Sequence, residues 1–214
     1  MNETLVYNEN TRPEMLDFLP ENYSKVLEIG CWKGDFKSNL KEGCEYWGVE
    51  LIENSANIAK KKAFKVICGD FFDVSDQVPD GYFDLIVCND VIEHMPDHDK
   101  FLIEIKKKLN NKGVIVGSIP NVRYIKNLRD LIFKKDWKYK NAGLLDKTHL
   151  RWFTEKSLKR NFSQINYTIE RFYGINSILN EPQYNKSIFI RLMIFIFGKD
   201  TQYMQFGFRV RSLD

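Results

Sequence analysis

A chain of 214 residues, 43% hydrophobic and 29% charged, is long enough to bury a substantial core, which excludes the disordered and fibrous classes. Thirty-two basic against 29 acidic residues leave a net charge of +3, too even for a long-range field that would argue for nucleic acid. The four cysteines, Cys31, Cys44, Cys68 and Cys88, form no CxxC pair and the polar N-terminus shows no signal-peptide pattern, so a cytoplasmic protein with reduced thiols is expected.

The first strong element is Lys25 to Ile29, a buried strand running into the turn Gly30-Cys31-Trp32-Lys33-Gly34. A helix over 34–41 and a strand over 45–50 follow, and the second strand ends in Glu50, twenty residues past Gly30. That layout belongs to nucleotide-binding α/β domains, with the acid placed to accept hydrogen bonds from ribose hydroxyls. A dinucleotide turn uses GxGxxG so that the backbone can approach a pyrophosphate, but Glu28 stands where the first glycine belongs. An anion there repels phosphate and suits a ligand with a cationic end. S-adenosylmethionine (SAM), a sulfonium and an ammonium on a phosphate-free adenosine, fits better than NAD.

Helices at 53–62 and 98–109 alternate with strands at 64–68, 83–89 and 113–119, as a doubly wound sheet requires. In the later helix Phe101, Leu102, Ile105 and Leu109 keep one-face spacing, and Asn110-Asn111-Lys112-Gly113 is expected to stop it. Lys60 to Lys62 and Lys106 to Lys108 fall late in helices, where cations complement the macrodipole and are expected to face water. After Pro120 the chain turns aromatic and basic, which suggests a lid insertion at about 121–153 over the carboxyl edge of the sheet, followed by a helix at 154–162. Arg123, Tyr124, Arg129, Trp137, Tyr139, Arg151 and Trp152 could stack there on sugar rings or bases, or simply form the core of the lid. Strands near 167–173 and 203–211 close the sheet. Ile188 to Phe197, interrupted by Arg191, is too short to span a membrane and reads as a helix buried on the sheet, with contact to a membrane surface or lipid-linked substrate as the other reading. One domain covering 1–214 is expected.

The strand and turn just described, together with Val66-Ile67-Cys68-Gly69-Asp70-Phe71 and Phe83-Asp84-Leu85-Ile86-Val87-Cys88-Asn89-Asp90, resemble the motifs of class I SAM-dependent methyltransferases over residues 1 to about 120. The chain departs from the family's GxGxG turn in carrying Trp32 at a small-residue position. The resemblance implies a mostly parallel, seven-stranded Rossmann-like sheet with an antiparallel last strand. It also implies that Glu28, Gly30 and Gly34 shape the SAM cleft, Glu50 holds the ribose, Asp70 and Phe71 hold the adenine, and Asn89 gives a backbone contact at its strand end. Leu145 to Thr154 resembles a segment of bacterial methyltransferases that modify sugars of surface polysaccharides, whose histidine faces the active site; here that residue is His149. Tyr7 with Thr11 to Leu16 resembles a leader of the same relatives that closes over the methionine end of SAM, and Arg12 would then pair with its carboxylate.

Methyl transfer from a sulfonium is an in-line displacement that needs alignment and, for a hydroxyl acceptor, removal of a proton. His149 has the right pKa range for a base, although a structural histidine bonded to the backbone is the plainer reading. Asp90 to His98 adds a polar group beyond the fourth strand. Asp90 and His94 could work as acid and base there, or Asp97 could simply cap the following helix with His94 packed beneath it. With Glu93 and His149, Asp90 and His94 could instead ligate a divalent metal, a pattern that resembles metal-assisted O-methyltransferases of RNA 3′ ends or quinone precursors, though with Asp for the first Glu. The reading adopted is a metal-free, cytoplasmic SAM-dependent O-methyltransferase of a sugar or glycan-precursor hydroxyl. It expects a small-molecule or glycan acceptor, no nucleic acid and no stable membrane insertion, and it allows a homodimer. A nicotinamide-dependent sugar epimerase or reductase and a catalytically silent SAM-fold subunit are the alternatives from other classes.

Overall fold

A computed structural model describes residues 11–213. Seven strands, β1 (Lys25–Ile29), β2 (Glu45–Glu50), β3 (Lys65–Cys68), β4 (Phe83–Asn89), β5 (Leu109–Pro120), β6 (Tyr167–Ser177) and β7 (Tyr203–Ser212), form one sheet in the order β3-β2-β1-β4-β5-β7-β6. Strands β1 to β5 pair in parallel, while β7 runs antiparallel to both β5 and β6. The helices are α1 (Glu53–Ala59), α2 (Phe71–Val74), α3 (His98–Lys108), α4 (Ile125–Arg129), α5 (Glu155–Gln164) and α6 (Ile188–Phe197). The expected mostly parallel, doubly wound Rossmann-like sheet is what forms, with β7 the antiparallel strand.

Successive strand residues point to opposite faces, and here both faces are covered, which is why the central strands read as unbroken apolar runs. On one face Leu27, Ile86 and Ile115 pack with Phe101, Leu102 and Ile105 of α3 and with Leu158 and Phe162 of α5. On the other, Val26, Leu85, Val87 and Val114 pack with Met15, Phe18, Phe36 and Tyr46. The chain winds outward from β1 to β3 and then returns to β4 on the other side of β1, so the sheet order reverses between β1 and β4. Ligands of open α/β sheets sit in the crevice beyond the carboxyl ends at such a reversal.

Helix α3 starts at Asp97, whose side chain accepts from the Lys100 amide at 2.9 Å. Thr154 and Ser157 cap α5 reciprocally. The segment 121–153 leaves the end of β5 and comes back to it: Asn121 pairs with Phe153, and the Val122 amide donates to the Phe153 carbonyl at 3.0 Å. Among the described residues, no helix is long and apolar enough to cross a membrane.

Four local expectations are corrected. The helix expected at 34–41 is a 3₁₀ turn at Asp35–Asn39, because only Phe36 and Leu40 offer buried apolar anchors in that stretch. Asn110 to Gly113 do not form a helix-stopping turn; α3 ends at Lys108 and β5 begins at once, with Leu109 opposite Phe83. Lys108 does not face water: its ammonium is buried and donates to the Ser75 and Val78 carbonyls and to Asp80. Helix α6 does not pack on the sheet, since Ile190, Met193 and Ile194 meet Tyr124, Ile125 and Ile178 in a separate cluster.

Candidate functional site

The turn after β1 is built on two left-handed glycines, Gly30 with φ of 70° and Gly34 with φ of 72°. A Cβ at Gly30 would lie 2.9 Å from Val91 Cγ2, so this turn closes against the residue after Asp90 and leaves no room for a side chain. Trp32 is also left-handed, with φ of 46°, and is held so by its amide, which donates to Glu50 Oε2 at 2.8 Å. The Ile52 amide donates to Glu50 Oε1 at 2.9 Å. Glu50 therefore pins the turn to the end of β2, and an ionised carboxylate, with about four acceptor sites, retains capacity for ribose hydroxyls.

Glu28 departs from the sequence expectation. Its carboxyl is buried and accepts a hydrogen bond from the Tyr46 hydroxyl, and burial pushes its pKa up to about 8, helped by the charges of Glu50 and Asp35. It is thus a neutral group near pH 7 unless a cation is brought to it, not the standing anion expected at the turn.

Arg12 has three partners within the chain. Its Nη1 pairs with Asp90 Oδ2 at 2.6 Å, its Nε with Glu14 at 2.6 Å, and its Nη2 donates to Ser118 Oγ at 2.9 Å. Asp90, left-handed with φ of 53°, also accepts from Ser118 Oγ at 2.9 Å and from Gln205 Nε2 at 2.7 Å. With these donors around it, Asp90 ties Arg12, Ser118 and Gln205 together at the strand ends. Arg12, Trp32 and Asp90 are three of the six non-glycine residues with positive φ among the described residues, so backbone strain concentrates at this edge. Tyr7 lies outside the described residues.

Beside this network a cavity of about 140 Å³ is lined by Asp90, Glu93, Leu144, His149, Met204 and Gln205. The backbone of 121–153 reaches into it, because the Leu150 and Arg151 amides both donate to the Glu93 carbonyl, at 2.8 and 3.1 Å. The ring of His149 is buried, with Nδ1 placed 3.0 Å from the Leu144 carbonyl. Donation to that carbonyl requires the proton on Nδ1 and leaves Nε2 as a lone pair, 3.9 Å from Glu93 Oε1. Burial and the neighbouring His94 lower the His149 pKa, so the imidazole stays neutral at neutral pH. Glu93 is fully buried and both its carboxyl oxygens lack a hydrogen-bond partner; burial and the Asp90 charge raise its pKa well above the usual carboxylate range. The His94 ring meets His149 edge-on at 4.7 Å and is tied to the Thr148 carbonyl at 3.2 Å, rather than packing beneath α3. Glu93, His94 and His149 each offer a ligand atom, and these atoms lie within 4.8 Å of one another, a donor set that suits a borderline divalent cation.

Asn89 ends β4 with both side-chain polar atoms buried and unpartnered, as a residue that contacts ligand or water would be. Asp70 is exposed and caps α2 by accepting from the Phe72 amide at 2.9 Å. The Phe71 ring is buried edge-on against Phe101 at 5.4 Å. Sequence reasoning missed Ser118, Met204 and Gln205. The signal for two of them was a polar residue inside an apolar strand, Ser118 in β5 and Gln205 in β7.

The family model of the methyltransferase domain matches residues 7–171. The chain belongs to that family. Its fold is that of SAM-dependent methyltransferases: one such structure, from Archaeoglobus fulgidus, is 22% identical with a TM-score of 0.57, covering 87% of this chain and 85% of its own. Curated relatives include a ubiquinone biosynthesis O-methyltransferase of Idiomarina loihiensis, 31% identical over 104 residues, which are 45% of this chain and 42% of that protein. A trans-aconitate 2-methyltransferase of Deinococcus radiodurans is 27% identical over 104 residues, 48% of this chain and 40% of that protein. The chain thus spans less than half the length of these two relatives. The methyltransferase family sets aside the nicotinamide-dependent reading, and SAM is the cofactor that family and fold imply for the crevice between β1 and β4.

Proposed function

We propose that this methyltransferase transfers the methyl group of SAM to a hydroxyl of a sugar or glycan precursor in the cytoplasm, with residues 1–214 acting as one domain and 121–153 as its lid. The observation that carries the reading is the neutral Nε2 of His149, buried in a small cavity that Asp90 and Glu93 also line, with the Gly30 turn packed against Val91 beside Asp90. SAM supplies the electrophilic methyl. Gly30, Gly34 and Glu50 hold the adenosine, Asp70 reaches the adenine, and Asn89 turns its free amide to the ligand. His149 Nε2 would take the proton of the acceptor hydroxyl as that oxygen receives the methyl that bound SAM would supply, with a neutral thioether left over. Asp90, fixed by Arg12, Ser118 and Gln205, holds the edge in shape, and His94 packs His149 in place. The carboxyl groups of Asp90 and Glu93, the Gln205 amide and the segment around His149 support a glycan-type acceptor.

A second reading, a metal-assisted O-methyltransferase, is favoured by the convergence of Glu93, His94 and His149 and by the unpartnered oxygens of Glu93. These residues would hold the cation, which would supply Lewis-acid activation of the hydroxyl. The deciding experiment is a panel of sugar and catechol acceptors with methyl-labelled SAM, run with and without a chelator. Metal-free general-base catalysis predicts turnover that survives chelation and a kcat that falls about 10²- to 10⁴-fold in His149→Ala with SAM binding intact. Turnover lost on chelation would replace the first reading by the second, and near-full activity in His149→Ala with chelator present would remove both.

A further inference from the structure

Helix α6 is apolar on all sides, yet only half of it is covered. Ile190, Met193 and Ile194 are buried in the cluster with Tyr124 and Ile125, whereas Ile188 and Phe195 are 83% and 85% exposed, and Phe189, Leu192 and Ile196 are exposed with them. At 100° per residue Ile188, Leu192, Phe195 and Ile196 fall on one face, opposite the buried stripe, with Arg191 at its edge. A helix apolar all round is normally enclosed, and an uncovered face of this size marks an interaction surface. Its packing partner α4 continues into a second exposed apolar run, Leu131, Ile132 and Phe133.

The unpaired charges beside both runs are all positive but one. Lys186, Arg191 and Lys199 flank or interrupt α6, and Lys135 and Lys138 follow Phe133; all five are exposed and in no ion pair among the described residues. Against them these two stretches expose a single acid, Asp136, because Asp130 and Asp200 are paired with Lys134 and Arg123. An isologous contact with a second copy would set Lys186, Arg191 and Lys199 against themselves. An anionic lipid surface satisfies both features, taking the apolar side chains into the acyl boundary and the cations at the headgroups.

We propose that α6 and the adjoining Leu131–Phe133 run form a docking surface for anionic membranes, so that the chain works as a peripheral protein at a bilayer. This holds whatever the methyl acceptor is. The test is co-sedimentation of the full chain with phosphatidylcholine vesicles, with and without phosphatidylglycerol. Binding is expected to the phosphatidylglycerol vesicles, to weaken as salt rises, and to fall more than tenfold in Ile188→Ser/Phe195→Ser, whose melting curve stays that of the parent because both side chains lie in solvent. The charge variant Lys186→Glu/Lys199→Glu is expected to lose at least tenfold on anionic vesicles, at about tenfold per 1.4 kcal/mol and about 1 kcal/mol per cation. No binding to either vesicle, or equal binding by parent and variants, overturns the proposal. So does a parent that sediments as a dimer and becomes a monomer in Ile188→Ser/Phe195→Ser, which would assign the face to a second copy.

Discussion

At the scale of single residues, Glu28 and His149 show how burial sets chemistry. Glu28 keeps its proton in the folded chain up to about pH 8, while in the unfolded chain it ionises in the ordinary carboxylate range. Its contribution to stability is therefore complete at acid pH, declines as pH rises from that range and is gone above about 8. Thermal melts of the protein alone should fall across that window by at most about 1.4 kcal/mol per pH unit, and Glu28→Gln, which still accepts from Tyr46, should flatten the decline. A decline unchanged in the variant would place the effect on another group. If the SAM ammonium meets Glu28, binding near neutral pH should expel a proton, detectable as a calorimetric heat that changes with the ionisation enthalpy of the buffer. The identity of these residues was legible in the sequence, but their states were not. A β1 position next to a glycine turn reads as a carboxylate, and only the fold brings Tyr46 onto it. Arg12 and Asp90 are 78 residues apart and Gln205 and Asp90 are 115 apart, so their network has no local signature.

At the scale of elements, the turn after β1 is the most sensitive to change. Gly30→Ala adds a methyl in the left-handed region and forces Val91 to move, which should cost about 1–2 kcal/mol in denaturant melts and weaken SAM binding together. Where α3 hands over to β5, Lys108→Met strands the Ser75 and Val78 carbonyls, with an expected loss of about 1–3 kcal/mol in urea titration and SAM affinity unchanged. Strands β1, β2 and β4 have the bounds that their apolar runs predict, because parallel strands buried on both faces carry a strong and continuous signal. Two expectations about surroundings failed for a common reason: periodicity reports which residues are apolar or charged, not what lies opposite. Lys108 looked solvated within a lysine triplet, and α6 looked enclosed because it is apolar.

For the whole molecule, the crevice between β1 and β4 predicts a ligand-linked gain in stability. SAM at a hundredfold excess over its Kd should add about 2.7 kcal/mol, a rise in Tm of about 5–10 °C for a chain of this length. An unchanged melt under saturating SAM would mean that the crevice does not hold it. The mostly parallel, doubly wound sheet with its antiparallel last strand was legible from the alternation of elements. The cavity was not, since it exists only when Glu93 after β4, His149 on the returning segment and Gln205 on β7 converge.

The meeting of Asn121 with Phe153 carries a last consequence. Because the excursion leaves and rejoins the sheet at one seam, the exposed part that makes no contact with the scaffold could change in length at little cost: doubling a flexible loop adds only about 0.6 kcal/mol of closure entropy. On the proposed reading of 121–153 as the lid, such changes would reshape the acceptor side and leave the β1–β4 crevice as it is.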